Sequence, residues 1–173
     1  MVESMTPHTV LAAILFLAPH LGMGTARLYS RLIRTEASRY HVDPMLVVAI
    51  IHVETAKTWD PALRSATDDR GLMQVHVSAS SNPGLVGRED ILFNPKVGIH
   101  YGVKTLAMWQ AFHKRACLVE WHPYWGHYQY GYLVRSLAWS WKVRELYLKL
   151  QVKALNMMMV VLEEHPSAKA VGE

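Results

Sequence analysis

The sequence predicts a mainly α protein that folds as one compact domain. Apolar residues recur at helical spacing over most of the chain, and no convincing pair of alternating strands is present. Two short motifs, Asp43-Pro44 and Asn94-Pro95, have the form of helix starts, in which a capping side chain precedes a proline. With 173 residues, 51% of them hydrophobic and 18% charged, the chain is long enough to bury a sizeable core.

The N-terminal segment has two alternative interpretations. The apolar run at residues 10–18 has the length of a signal-peptide core, and residues 24–26 are small enough for a cleavage site. However, the first nine residues include Glu3 and contain no lysine or arginine, and the run is too short for a transmembrane span. The segment is therefore either a signal or membrane anchor, or an ordinary buried helix. The predicted divisions of the chain are this segment at 1–26, a main domain at 27–165 and a flexible tail at 166–173.

Two helices are predicted in the first third of the main domain. Residues 26–40 are amphipathic, with leucine, isoleucine and alanine on one face. The next helix is predicted over Pro44–Glu54, with Asp43 as its N-cap. Every position between 45 and 53 except His52 is apolar, so this helix is expected to be buried on all sides.

Loops and two further helices are predicted downstream. Residues 55–70 and 78–87 are rich in Pro, Gly, Asp and Ser, which favours loops. A helix is expected to run from Asn94-Pro95 to about residue 114. Residues 116–125 are predicted to be a loop, and helical spacing returns over residues 132–164.

Charge and cysteine content exclude several classes of function. The net charge of +4 is mild and no basic cluster or motif is present, so no nucleic-acid partner is predicted. A single cysteine, Cys117, excludes an internal disulfide framework and a cysteine-rich metal site. His52 and Glu54 match the H-x-E of zinc deaminases, but the cysteine pair that must follow is missing. The ten histidines are scattered without acidic ligands, so no metal and no cofactor is predicted.

Glu54 is the residue most suited to catalysis. It ends the most apolar helical stretch of the chain, where the negative end of the helix dipole meets apolar surroundings. Both effects disfavour the ionised carboxylate and are expected to raise the pKa of Glu54. A carboxylic acid that stays partly protonated near neutral pH is suited to general acid catalysis. The local pattern leaves open an alternative, in which the helix ends at Val53 and Glu54 is a solvated charge.

Four elements in order resemble the transglycosylase SLT domain, the lysozyme-like fold of soluble lytic transglycosylases and goose-type lysozymes. They are the end of the buried helix at 48–55, the segment Gly71-Leu-Met-Gln-Val75, the segment 93–102 and the segment His127-Tyr-Gln-Tyr-Gly131. The resemblance covers roughly residues 27–147 and implies a lysozyme-like compact helical domain. Thr55 stands where the family has serine, and Gly98 and Gln129 stand where it has asparagine.

The resemblance implies a peptidoglycan lytic transglycosylase that cleaves the MurNAc–GlcNAc β-1,4 bond. Glu54 would be the single acid/base, whereas most glycosidases use two carboxylates. The N-acetyl group of the substrate would stabilise the developing charge. The C6 hydroxyl would then close a ring and leave 1,6-anhydro-MurNAc ends.

Six further residues are expected to bind the substrate on the basis of the same resemblance. An amide bonds both donors and acceptors of a sugar, and a thioether suits an N-acetyl methyl group. For Met73 and Tyr128 the alternative is packing in the core, and for Ser65 it is a role in a turn. The substrate-binding set is Thr55, Ser65, Met73, Gln74, Tyr128 and Gln129.

Two other functions remain open at this stage. If Asp60, Asp68 or Asp69 lies across the cleft from Glu54, the protein would hydrolyse the glycan as goose-type lysozymes do. The pattern favours a turn cap for Asp60 and solvated loop charges for Asp68 and Asp69. The other alternative is a non-catalytic protein that binds the cell wall or helps to assemble a machine, which the changes at Gly98 and Gln129 would suit.

The implied substrate also predicts a location and partners. Peptidoglycan glycan strands are the expected partner, and the protein is expected in the cell envelope or periplasm, or exported. Association with a membrane, a secretion machine or a phage particle that delivers the chain is compatible with the sequence. A monomer is expected.

Overall fold

The computed structural model describes residues 7–78, 82–116, 122–131, 134 and 136–164. These residues contain six α-helices and two short 3-10 helices, and they contain no β-strand, only two isolated bridges that join Arg64 to Arg70 and Arg70 to Val75. The mainly α, lysozyme-like class predicted from the sequence is therefore confirmed. The α-helices are α1 (Pro7–Leu17), α2 (Met23–Tyr40), α3 (Pro44–Glu54), α4 (Pro95–Ala116), α5 (Gly126–Tyr130) and α6 (Ala138–Glu164), and the 3-10 helices are Pro83–Leu85 and Glu89–Phe93.

Helix α3 forms the centre of the fold and has the predicted bounds. The carboxylate of Asp43 accepts a hydrogen bond from the N–H of Met45 at 2.7 Å, which caps the helix as expected. Its other oxygen accepts the hydroxyl of Tyr147 at 2.6 Å, so the start of α3 is tied to α6. Every residue from Met45 to His52 is buried, because α1, α2 and α6 all pack against this helix.

Helix α1 packs into the same core. Val10 and Ile14 are fully buried and belong to one hydrophobic cluster with residues of α2 and α3. The described part of the N-terminal segment is thus a helix packed against the core, and the choice between a signal or anchor and a permanent helix stays a prediction. None of the described helices is long and apolar enough to cross a membrane.

Helix α4 approaches its neighbours closely because it carries two glycines on its inner face. A Cβ atom on Gly98 would lie 2.6 Å from the carbonyl oxygen of Leu92, and one on Gly102 would overlap the side chain of Met73. Gly98, which stands where the family has asparagine, therefore allows close packing. On another side of α4, the buried carboxylate of Glu36 accepts a hydrogen bond from His100 at 2.9 Å, which ties α2 to α4.

Some predicted boundaries are wrong. Helix α2 starts at Met23 rather than residue 26. Helix α6 starts at Ala138 rather than residue 132, because the Ser136 hydroxyl accepts the N–H of Ala138 at 3.2 Å and so stops the helix from extending backwards. Helix α5 was not predicted. The predicted tail at 166–173 and half of the predicted loop at 116–125 lie outside the described residues.

Candidate active site

Glu54 faces a cavity of about 650 Å³ at the C-terminal end of α3. A cavity of this size suits a ligand with several polar groups, such as a sugar. The loop that follows α3, together with α4 and α5, forms its walls. The cavity is lined by several side chains that can exchange protons or form hydrogen bonds with a ligand, among them Glu54, Asp69, Gln74, Tyr128 and Gln129.

The surroundings of Glu54 favour its neutral, protonated form. Burial raises the pKa of Glu54 from 4.5 to about 8, and the nearby negative charge of Asp69 acts in the same direction. The indole N–H of Trp139 lies near enough to oppose this in part, although it makes no hydrogen bond of standard geometry with any described residue. These surroundings favour the neutral acid at neutral pH, and Glu54 is the last residue of α3 and lines a cavity, which disagrees with the alternative of a helix that ends at Val53.

Asp69 is held in a fixed orientation on the wall of the cavity. One carboxylate oxygen accepts hydrogen bonds from the hydroxyls of Thr67 at 2.6 Å and Ser65 at 3.1 Å. The other oxygen accepts a hydrogen bond from Nδ1 of His76 at 2.8 Å. The backbone N–H of Asp69 also donates to the Ser65 hydroxyl at 3.0 Å. Its side chain is 23% exposed, so the expectation of a solvated loop charge is wrong for Asp69. Ser65 orients Asp69 and does not line the cavity.

Asp68 and Asp60 do not line the cavity. Asp68 is half exposed and forms an ion pair with Arg70, whose buried guanidinium also binds Asp90 at 2.9 Å. These ion pairs tie the loop to the segment that precedes α4. Asp60 accepts the N–H of Ala62 at 2.8 Å and caps the turn that begins at Pro61. Of the three aspartates considered from the sequence, only Asp69 lies beside Glu54.

Gln74 lines the cavity in an unusual backbone conformation. Its φ of 46° lies in the left-handed region, which is uncommon outside glycine and costs about 1–3 kcal/mol where it is held by the surrounding structure. Its amide nitrogen donates to the carbonyl oxygens of Gly71 at 2.8 Å and Leu63 at 3.1 Å. Because both amide hydrogens are engaged, a sugar can bond to this side chain only through Oε1.

Tyr128 connects α5 to the wall opposite. Its ring stacks on Trp139 with a centroid separation of 6.4 Å, and its hydroxyl donates to the carbonyl oxygen of Met73 at 2.8 Å. Burial and the charges of Glu54 and Asp69 raise the pKa of Tyr128, so the phenol stays neutral. Its oxygen retains the capacity to accept a hydrogen bond from Glu54 or from a sugar. Gln129, the next residue of α5, is exposed and lines the same cavity.

Three of the predicted substrate-binding residues do not line the cavity: Ser65, Thr55 and Met73. The Thr55 side chain is fully buried, with its hydroxyl donating to the Ile51 carbonyl at 2.7 Å and accepting the N–H of Trp59 at 3.1 Å. A threonine hydroxyl at a helix end bonds to the backbone four residues away, which explains this structural role. The Met73 side chain has no exposed surface and packs against Gly102, so it belongs to the core.

Two residues of the site were not predicted. One is Trp139, since nothing in the local sequence pattern shows that α6 turns this residue towards Glu54. His127 lines the cavity, is 1% exposed and stacks on Trp109 at 5.4 Å. Burial lowers the pKa of His127. The sequence could have indicated His127 only through its position before Tyr128, in the fourth segment that resembles the family.

Comparison with known proteins gives one match. The family model described as Transglycosylase SLT domain matches residues 31–119, which is just over half of the chain. The matched range contains Glu54, Asp69 and Gln74, whereas Tyr128 and Gln129 follow it. No curated protein and no solved structure matches the chain.

Proposed function

The chain belongs to the transglycosylase SLT domain family, and from this premise we propose that it is a peptidoglycan lytic transglycosylase in which Glu54 is the single acid/base. The observation that carries the proposal is the position of Glu54 at the end of the buried helix α3, facing a cavity large enough for a sugar, and a pKa raised by burial to about 8 suits it to donate a proton at neutral pH. Family membership supports peptidoglycan as the substrate class, and the position of Glu54 supports its role as the acid.

The proposed reaction consists of two proton transfers through Glu54. Glu54 first protonates the glycosidic oxygen, the bond from C1 of MurNAc to that oxygen breaks, and the N-acetyl carbonyl of the same sugar stabilises the positive charge at C1. The Glu54 carboxylate then takes the proton of the C6 hydroxyl, and the C6 oxygen bonds to C1. Glu54 ends protonated, no water is consumed, and the product carries a 1,6-anhydro-MurNAc end.

Three cavity residues are proposed to position the glycan. Gln74 would accept a sugar N–H or O–H through Oε1, because its amide hydrogens are held by the backbone. The Tyr128 hydroxyl would accept a hydrogen bond beside Glu54, while Gln129 would contact a sugar at the exposed edge. None of the three lies on α3, which carries Glu54. They would therefore hold the sugar from the other walls of the cavity.

Hydrolysis is the second candidate, and the position of Asp69 favours it. Asp69 lies close enough to raise the pKa of Glu54, and its carboxylate is held by three side chains. An inverting glycosidase places its base about 6.5–9.5 Å from its acid, with a water molecule between them. In this candidate Asp69 would deprotonate a water that attacks C1, and both new chain ends would be hydroxyls.

The proposed substrate implies that the protein acts at the cell wall. We propose that it acts on peptidoglycan glycan strands in the cell envelope, after export or after delivery by a secretion machine or phage particle. The monomeric state remains a prediction.

The test is digestion of purified peptidoglycan sacculi followed by mass spectrometry of the fragments. Anhydro-muropeptides are expected from the native chain, and a fall of at least about 10³-fold is expected for Glu54→Gln, because a single acid/base is then lost. Glu145→Gln is the matched control, since Glu145 is an exposed carboxylate on α6. Asp69→Asn is expected to keep forming anhydro products.

Three outcomes would contradict the proposal in different ways. Fragments heavier by one water that disappear with Asp69→Asn would establish the hydrolase. Sacculi that are bound but left intact by the native chain would indicate a wall-binding protein. Substantial cleavage by Glu54→Gln would remove Glu54 from the mechanism.

A further inference from the structure

Three histidines from different parts of the chain come together beside the candidate active site. His113 lies in the last turn of α4, His122 precedes α5, and His127 lies within α5. One ring nitrogen of each lies within 4.8 Å of the others. We propose that this His cluster (His113, His122 and His127) binds a divalent transition-metal ion of the zinc type.

One nitrogen–nitrogen distance within the His cluster already matches tetrahedral coordination, and all three ring nitrogens lie within 4.8 Å of one another. Nδ1 of His113 lies 3.4 Å from Nε2 of His127. Two nitrogens that ligate the same zinc at about 2.05 Å in a tetrahedral site are separated by about 3.4 Å. The three ring centroids lie 4.8, 5.1 and 5.6 Å apart. The same metal geometry places ring centres about 5.2 Å apart, so small ring rotations would complete the site.

Hydrogen bonds to the backbone orient two of the rings for metal binding. Nδ1 of His127 donates to the carbonyl oxygen of Gly131 at 2.7 Å, which leaves the lone pair on Nε2, the nitrogen that faces His113. Nδ1 of His122 lies 3.2 Å from the carbonyl oxygen of Pro123, which assigns Nε2 of that ring to the metal in the same way. Ligand histidines commonly donate their second ring nitrogen to a carbonyl or carboxylate, and this contact fixes the ring orientation.

A second cavity gives the His cluster access to solvent. Its volume is about 430 Å³, and His113 and His122 line it together with Arg144. It leaves room for a water molecule or an anion as fourth ligand. Among the described residues the cluster offers three imidazoles and no carboxylate, a ligand set of zinc, nickel and copper rather than of calcium or magnesium, which bind oxygen.

The metal would connect the C-terminal end of α4 to α5, and α5 carries Tyr128 and Gln129. Because the ligands lie on separate elements, the ion would bind the folded chain more tightly than the unfolded chain and so stabilise this wall of the cavity. The ion takes no part in the proton transfers proposed for Glu54. Binding is therefore measurable whether or not the chain cleaves peptidoglycan.

The test is titration of the full chain, stripped with a chelator, with Zn²⁺ in a calorimeter. One Zn²⁺ per chain with micromolar or tighter affinity and a rise in Tm are expected. His113→Ala is expected to weaken binding at least 100-fold. The matched control is His41→Asn, since His41 is exposed, lies outside the cluster and has a left-handed φ of 54° that asparagine tolerates. This control is expected to bind like the native chain.

A second measurement reports the geometry directly. Co²⁺ bound in place of Zn²⁺ is expected to give the intense visible absorption of a four-coordinate site, and His113→Ala is expected to lose it. Equal Zn²⁺ affinity of the native chain and His113→Ala, or a Co²⁺ spectrum of the six-coordinate type, would overturn the proposal. If His113→Ala does not fold, as judged by circular dichroism, His122→Gln gives the same comparison.

Discussion

Replacing Glu54 by glutamine is expected to stabilise the protein at alkaline pH. The folded state raises the pKa of Glu54 from 4.5 to about 8, because burial and Asp69 disfavour the charge. The folded state therefore binds this proton more tightly than the unfolded state. The resulting stability is fully present below pH 4.5 and is lost as the pH rises through about 8. A glutamine of nearly the same shape carries no such proton and does not incur this loss.

The magnitude follows from the two pKa values. At about 1.4 kcal/mol per pH unit, the difference between 4.5 and about 8 corresponds to about 5 kcal/mol, of which about 4 kcal/mol falls between pH 5 and pH 9. Part of the Glu54 side chain is exposed, and water reduces the effect. We therefore expect the free energy of unfolding of Glu54→Gln, relative to that of the native chain, to rise by about 2–4 kcal/mol from pH 5 to pH 9.

The assay is equilibrium unfolding in urea at pH 5, 7 and 9 for the native chain and the variant. The difference between the two proteins isolates Glu54, because all other groups titrate in both. Glu145→Gln serves as the control, since this exposed carboxylate forms an ion pair with Lys149 at the surface, and no comparable dependence on pH is expected. A difference between Glu54→Gln and the native chain that does not change from pH 5 to pH 9 would refute the reasoning. Glu54 would then be ionised at neutral pH and unsuited to act as the acid.

Three further substitutions test the surroundings of Glu54. Asp69→Asn removes a negative charge that raises the pKa of Glu54, so the alkaline limit of cleavage, expected near pH 8, should move to lower pH in a rate–pH profile. Tyr128→Phe keeps the stack on Trp139 but loses the bond to the Met73 carbonyl; urea unfolding should show a loss of about 1 kcal/mol, and sacculus digestion should slow about tenfold or more. Gly102→Ala should cost about 1–3 kcal/mol in urea unfolding, because its methyl group would overlap the side chain of Met73. An unchanged pH limit, an unchanged rate and an unchanged stability, respectively, would contradict these expectations.

The parts of the fold that were predictable are those with local signals. Asp43 and Pro44 fix the start of α3, and the apolar run fixes its burial, so its bounds agree with the prediction. The position of Glu54 at the end of this helix gave the direction of its pKa shift, because burial acts on any carboxyl there. Helix α5 has only five residues, Gly126–Tyr130, which is too short for a periodic pattern to reveal.

The parts of the site that were not predictable depend on contacts between distant segments. Met73 lies in a segment shared with the family, yet it packs against Gly102, and only the approach of α4 reveals this. The His cluster unites residues separated by nine and five positions on two elements and a turn, a spacing that matches no metal motif. The sequence pattern of Asp69 is that of a solvated loop charge. Its fixed orientation depends on hydrogen bonds from Ser65, Thr67 and His76, which only the structure reveals.

The loop between Ser65 and Gln74 adds to the effect that burial on α3 has on Glu54. The buried guanidinium of Arg70 is bound by Asp68 and Asp90, which anchors the middle of this loop against the chain that leads into α4. Asp69 and Gln74 lie on either side of that anchor, one raising the pKa of the acid and the other offering Oε1 to the sugar. The left-handed conformations at Asp68 and Gln74 cost energy, and they persist because the ion pairs and amide bonds of the loop hold them. Helix α3 thus buries Glu54, whereas the loop positions the charge of Asp69 and the proposed substrate contact of Gln74. A substitution at Arg70 should therefore change the pKa of Glu54 although Arg70 does not contact it.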